Sequence, residues 1–400
     1  MSAVTAIIAK SLGRGVEVGE FAEVPVHLAF GHDVSAPIGV RTFNELGTPI
    51  WDPERVVIIF DHFVPPSAPA AANEQQMLRQ WVKQQGIKNF YDGDNGVCHQ
   101  ILIEKQLVKP GEILVGADSH TCSSGAVGCL GIGVGSTELA AAMATGRVWM
   151  KVPETIKVRL QGKLRAPASA KDAALVLLGM LREHPVDYRV IEFSGDGTLT
   201  LPERITMANL MSEGGAKSAL FTDDFPSHLT YDDRGVVLNL MLDLDSVTPM
   251  LAMPYSPDNV IAVDRLTDTV AVQQAYIGSC TNGRLEDLSI AAGILQGKRV
   301  HPGTRLIVAP ASSSVLIQAI EQGIITSLLS AGAILAPAAC GACFGGHIGL
   351  LGDGEVCISS TNRNFKGRMG SGSSQVYLAS PATVAVSALR GVISDPRKEC

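Results

Sequence analysis

Residues 56–62 read VVIIFDH. Five apolar residues in an unbroken run predict a strand buried on both faces, as in a parallel sheet covered by helices. The run ends in Asp61-His62, and ligands of open α/β sheets bind at the carboxyl ends of the strands. The pattern returns at residues 113–121, ILVGADSHT, where an apolar strand delivers Asp118 and His120. Two strands that each present an aspartate and a histidine point to one functional edge. An aspartate beside an imidazole fixes its tautomer and raises its pKa, which suits a proton donor. His62 and His120 are therefore read as catalytic. His99 and His32 are read equally as structural or functional, and His27, His184, His228 and His301 as structural.

Outward from these strands the chain alternates strands with helices. Residues 1–20 predict an amphipathic helix ending near Gly13–Gly15, and Val26–Phe30 a strand. Asp33 or Ser35 could cap a helix opened by Pro37. Asn73–Gln85 reads as a helix and Gly93–Gln100 as a loop before a short element. The glycine-rich run Gly125–Gly135 lacks the G-x-x-x-x-G-K-[ST] order and a clear G-x-G-x-x-G, so it is read as close backbone packing. A helix over about Thr137–Trp149 follows. Val152-Pro153 marks a boundary. Beyond it lie a strand at Thr155–Leu160, a helix at Lys171–Leu181 and a strand at Ile191–Phe193. Asn209 and Glu213, four apart in TMANLMSEGG, are placed on one helix face. The last unit has strands at Ala275–Gly278, Leu306–Ala309, Ile334–Leu335 and Val356–Ser359, and a helix at Val315–Gln322. The expectation is an α/β protein of three units, 1–153, 154–267 and 268–400, with mostly parallel sheets.

Composition agrees with that architecture. At 400 residues the chain exceeds the ~250–300 at which single cores stop growing. Hydrophobic residues make up 46% and charged residues 18%, enough apolar side chains for more than one core. The net charge of −7, without a Lys/Arg run, argues against nucleic acid or an anionic membrane as partner. Eight cysteines are too sparse for a disulfide scaffold. The N-terminus lacks a secretory pattern, and the apolar stretch Ile324–Ala339 falls short of a membrane span. A soluble protein of a reducing, cytoplasmic compartment is expected.

The densest chemistry lies in residues 338–369, AACGACFGGHIGLLGDGEVCISSTNRNFKGRM. Cys340 and Cys343 stand in a C-x-x-C spacing among small residues, and Cys280 stands upstream in GSCTNGR. A redox dithiol normally opens a long helix, whereas Gly345-Gly346 follow here. A zinc site wants four ligands, and His347 would crowd the pair. Three cysteines from two loops suit an iron–sulfur cluster with one iron left open. Spacing alone leaves all three readings standing. Cys98, Cys122, Cys129, Cys357 and Cys400 are read as buried free thiols, with Cys98 and Cys122 near the site. Arg363 and Arg368 offer forked, permanently charged donors for carboxylates.

Four segments, GADSHT (116–121), GSCTNGR (278–284), ACGACFGG (339–346) and STNRNFKGRMG (360–370), resemble the aconitase superfamily in their order along nearly the whole chain. The resemblance is to its separate large subunits, of the 3-isopropylmalate dehydratase, homoaconitase and 2,3-dimethylmalate dehydratase type. It implies three α/β domains around a [4Fe–4S] cluster held by Cys280, Cys340 and Cys343, with the fourth iron open to substrate. By position, Asp61-His62 would protonate a leaving hydroxyl. Asp118 and His120, assisted by His99, would form a second pair, and Glu213 would hold the water or hydroxyl. His32, Ser119, Asn209, Asn362, Arg363 and Arg368 would contact substrate or cluster. Two positions depart from the pattern: Ala342 stands where relatives have proline, and His32 where they carry an amide. The swivelling domain of full-length aconitases is absent, which implies a small partner subunit completing the site. The implied activity is a hydro-lyase on a substituted malate, 3-isopropylmalate first, with dimethylmalate, citramalate-type and homocitrate-type acids as alternatives. A non-catalytic iron sensor that binds RNA and a structural zinc protein are the readings from other classes.

Overall fold

The computed structural model describes residues 1–223, 225–226 and 229–399; His228 and Cys400 lie outside them. The apolar run VVIIF supplies the strand Val56–Ile59, fully buried and hydrogen-bonded in parallel on both sides. It belongs to a five-stranded parallel sheet. In spatial order the strands are Asn89–Tyr91, Val56–Ile59, Leu28–His32, Ile113–Gly116 and Leu130–Gly133. The chain runs outward from Leu28–His32 in one direction, then returns to lay Ile113–Gly116 on its other side. The topological switch point, where ligand crevices open in such sheets, therefore lies between His32 and Gly116.

A second parallel sheet orders Ser218–Phe221, Val190–Gly195, Thr155–Gln161 and Val236–Asp243. The third sheet has seven strands. Its parallel part runs Gln375–Ala379, Val356–Ser359, Gln274–Ile277, Arg305–Val308 and Ile334–Leu335, and Met250–Ala252 and Val260–Ala262 extend it antiparallel. Its switch point falls between Gln274–Ile277 and Val356–Ser359. A short antiparallel ribbon pairs Phe21–Pro25 with Arg147–Lys151. The α/β class with mostly parallel sheets is as expected. No helix among the described residues is long and apolar enough to cross a membrane.

The glycine-rich run packs backbone on backbone. A Cβ on Gly125 would lie 1.7 Å from the Ala219 carbonyl oxygen, and one on Gly131 2.0 Å from that of Thr121. Three local expectations need correction. The helix expected over Thr137–Trp149 is Ser136–Thr145. Gly146 caps it, and Arg147–Lys151 alternates exposed and buried residues as a strand. Neither Asp33 nor Ser35 caps the Ala36–Leu46 helix through its side chain; Asp33 is committed elsewhere. Asn209 and Glu213 do not share one α-helix, because Leu201–Leu210 ends and a 3-10 turn, Met211–Gly214, carries Glu213.

Candidate functional site

Asp33 builds the first wall. Its Oδ1 accepts from the Asp61 and His62 amides at 3.1 and 2.9 Å, and its Oδ2 from the Phe63 amide at 2.8 Å and Gln75 Nε2 at 3.0 Å. The turn after Val56–Ile59 is thereby fixed from below. On it, Asp61 Oδ1 accepts from His62 Nδ1 at 2.7 Å, while Oδ2 accepts from the Cys98 amide at 2.8 Å. Burial alone would raise the Asp61 pKa, but the His62 charge and hydrogen bond outweigh it and hold it at about 2. Burial likewise opposes charge on His62, and Asp61 overrides it, raising His62 to about 9. The pair is an ion pair at neutral pH. His32 stacks on His62, centroids 3.9 Å apart.

The second wall comes from across the switch point. Asp118 accepts from His99 Nε2 at 2.8 Å and the His120 amide at 2.7 Å, and lies 3.4 Å from His32 Nε2. Against burial, these donors hold it well below the usual carboxylate range. His120 Nε2 meets Glu213 Oε1 at 2.6 Å. Burial disfavours its charge, yet the Cys280 charge and the hydrogen bonds to Asp118 and Glu213 raise it to about 10. Glu213 also receives Arg363 Nε at 2.8 and 3.0 Å, and Arg363 Nη2 donates to Ser119 Oγ at 2.7 Å. Burial would raise Glu213; His120 and Arg363 bring it down.

The third wall comes from the seven-stranded sheet. Cys280 follows Gln274–Ile277, and Asn362–Arg363 follow Val356–Ser359, on the two strands that flank its switch point. The Cys340 amide donates to the Asp61 carbonyl at 2.8 Å, which seats the cysteine loop against the first wall. Asn362 links two of the cysteines: its Nδ2 lies 3.2 Å from Cys280 Sγ, and its Oδ1 lies 3.2 Å from Cys343 Sγ. Asn209 Nδ2 adds a second donor to Cys280 at 3.1 Å. Arg368 Nε donates to the Cys343 carbonyl at 2.7 Å. The Gly341 backbone lies at φ +62°, and a Cβ there would come within 2.3 Å of Tyr276 Oη, so the C-x-x-C turn accepts only glycine at this position.

Cys280, Cys340 and Cys343 are buried, unbridged and line one cavity together with Asp61, His62, His99, Asp118, His120, Asn362, Arg363 and Arg368. His32, Ser119, Asn209 and Glu213 each touch a member of that set. Every site residue singled out in the sequence therefore meets in one place. The hydrogen bond from Cys340 stabilises the Cys343 thiolate, lowering Cys343 and raising Cys340. Three convergent soft donors, two amides aimed at their sulfurs and adjacent cations fit a thiolate-held metal cluster.

Of the other residues weighed, His347 Nε2 is taken by the Pro65 carbonyl at 2.7 Å. Cys122 donates to the Ala208 carbonyl at 3.2 Å, while Cys98 lines the cavity. Sequence reasoning missed Asp33 as the holder of the Asp61-His62 turn. It also missed the buried Arg284, whose Nη1 donates to the Cys280 carbonyl at 3.1 Å. Arg284 lies inside GSCTNGR, so the motif itself carried that signal; Asp33 carried only its nearness to His32.

A chain with this centre has a defined class. The family model described as the aconitase family (aconitate hydratase) matches residues 9–234 and 227–391, and the chain belongs to that family. Among its relatives, the large subunit 1 of 3-isopropylmalate dehydratase from Methanopyrus kandleri is 42% identical over 98% of this chain and 97% of its own length. The 3-isopropylmalate dehydratase large subunit of Sulfurimonas denitrificans is 42% identical over 98% of both. A probable methanogen homoaconitase large subunit from Methanothermobacter thermautotrophicus is 41% identical over 98% of this chain and 97% of its own. In fold, the chain is similar to Thermococcus kodakaraensis aconitase X in its holo-form. The TM-score is 0.54, covering 90% and 89% of the two chains at 13% identity.

Proposed function

We propose that this chain is the large subunit of a hydro-lyase that dehydrates and rehydrates a substituted malate, 3-isopropylmalate in the first place. The observation that carries the reading is the meeting of three unbridged cysteines with two Asp–His pairs and two arginines in one cavity. Identity near 40% to large subunits over almost the full length supports the substrate. Homocitrate-type acids are the second reading, favoured by the homoaconitase relative. Cys280, Cys340 and Cys343 would hold a [4Fe–4S] cluster through three ligands, leaving one iron open. When bound, that cluster supplies a Lewis acid for the substrate hydroxyl and carboxylate.

The chain's own residues supply the acid, the carboxylate clamp and the positioning contacts. Asp61 orients His62 and keeps it protonated, so His62 hands a proton to the departing hydroxyl, a poor leaving group on its own. Asp118 fixes His99 and His120, and Glu213, held by His120 and Arg363, is the acceptor for expelled water. Arg363 and Arg368 neutralise the carboxylate on which charge accumulates as the α-proton leaves. Ser119 and Asn209 hold Arg363 and Cys280 in place, and His32 packs against the acid. The base that removes the α-proton comes from a small swivel-domain partner subunit. The assembly works in a reducing compartment, the cytoplasm, without nucleic acid or membrane.

Anaerobic iron and sulfide reconstitution tests the reading. Four irons per chain are expected, with a [3Fe–4S] EPR signal on mild oxidation that vanishes when iron is restored. Cys280→Ser should fail to hold the cluster. One zinc and no acid-labile sulfide in the wild-type protein would refute the proposal.

A further inference from the structure

Lys171 is among the largest fully buried side chains of the molecule. It stands in the first turn of the Ala170–Leu181 helix, behind the N-cap Ser169, where a cation opposes the helix dipole. No carboxylate lies within ion-pair distance of its ammonium among the described residues. The neighbouring Asp172 faces elsewhere, accepting from the Met250 and Ser169 amides at 2.8 Å each. Lys171 Nζ instead donates to two successive carbonyls, that of Ser360 at 3.1 Å and that of Thr361. Helix stability does not explain so costly a placement: burial lowers the amine, and the Cys343, Asp172 and Cys280 charges offset this only in part, leaving it at about 7.

The two carbonyls supply an explanation. Successive peptide dipoles aimed at one point repel each other unless a cation gathers them. The next two residues are Asn362, whose amide touches Cys280 and Cys343, and Arg363, whose guanidinium grips Glu213. We infer that Lys171 is a positioning residue of the site. Its ammonium holds the Ser360–Thr361 backbone in the one orientation that aims Asn362 at the cysteines and Arg363 at Glu213. The rest of that turn is tied to its own sheet, through the Ser360 amide to the Tyr276 carbonyl and Ser360 Oγ to the Asn282 carbonyl. Lys171 adds a tie from the Ala170–Leu181 helix, the crossover between the paired strands Thr155–Gln161 and Val190–Gly195. The functional consequence rests on the proposed cluster and substrate reading; the structural claim does not.

Lys171→Met in the full-length chain tests it by two independent readouts. Hydrogen exchange followed by mass spectrometry needs no cluster. Amides of residues 360–364 should exchange at least about tenfold faster, while the Val356–Ser359 and Gln274–Ile277 strands keep wild-type protection. In reconstituted protein, a chelator should remove iron about 10–100-fold faster than from wild type, the usual cost of losing a ligand-supporting contact. If wild type takes up no cluster, the functional proposal fails and the exchange measurement still decides Lys171. Unchanged protection at 360–364, or a loosening spread evenly over the whole sheet, overturns the inference. Lys171→Gln, which keeps a donor without the charge, carries the same comparison should the methionine variant not fold.

Discussion

His62 presents Nδ1 to Asp61, and among the described residues no protein group takes its Nε2, so the Nε2 proton is the one it can give. Replacing it by alanine should leave iron and sulfide content unchanged and slow dehydration by roughly 10²–10⁴-fold, the range for a general acid; wild-type turnover would remove it from the mechanism. The pair also links stability to pH. The folded-state pKa of His62 is raised to about 9. Its contribution is therefore complete below the ordinary histidine value of about 6.5 and is lost as pH rises through about 9. Urea titrations of wild type and His62→Ala should converge over that alkaline window. Arg363 makes two contacts to Glu213 through Nε and one to Ser119 through Nη2. A lysine reaches one of these at most. Arg363→Lys should raise KM in the reconstituted complex by about tenfold or more, and unchanged kinetics would place Arg363 outside the substrate site.

Between residue and domain stands the turn that follows Val56–Ile59. Four donors converge on the single carboxylate of Asp33. Asp33→Ala would strand three backbone amides, a loss on the order of 3 kcal/mol or more at ~1 kcal/mol or above per buried donor, while Gln75 Nε2 keeps the Phe63 carbonyl. Chemical denaturation should show that loss, together with lower activity, since Asp61 and His62 ride on the turn. The strand itself was legible, because burial on both faces writes an unbroken apolar run. So was its chemical end, since Asp61-His62 is contiguous with it. Asp33 was not: its donors lie 28 to 42 residues away, and its sequence neighbours suggested a helix cap. The strand Arg147–Lys151 was hidden by the helix-forming alanines before it, and only Gly146 marks the change. Lys171 read as one more helical lysine, since nothing local says that an amine will be buried.

On the scale of the molecule, the site lies where the switch points of two sheets meet. The five-stranded sheet contributes Asp61-His62 and Asp118, and the seven-stranded sheet contributes Cys280 and Asn362-Arg363. The helix and 3-10 turn that carry Asn209 and Glu213 close it from the four-stranded sheet. This convergence of distant segments was legible only through four recurring motifs, since no single segment contains the geometry. With the base expected from a partner, the isolated chain should load its cluster yet turn over at below about 1% of the reconstituted heteromer, given the 10²-fold or greater effect of a missing proton-transfer group. Full activity of the chain alone would refute the need for a partner.

The Cys340 amide on the Asp61 carbonyl joins two sheets through a bond that belongs to neither ladder. Because the segments that line the centre come from three sheets but meet outside their ladders, the centre can be dismantled without breaking a strand pairing. A cluster held by Cys280 and the Cys340–Cys343 loop would pin together two loops of the seven-stranded sheet, and the Cys340 amide would carry that constraint to the turn of the five-stranded sheet. Oxidative loss of iron should leave the secondary structure intact and free these two loops first, recognisable to a protease long before the chain is unfolded.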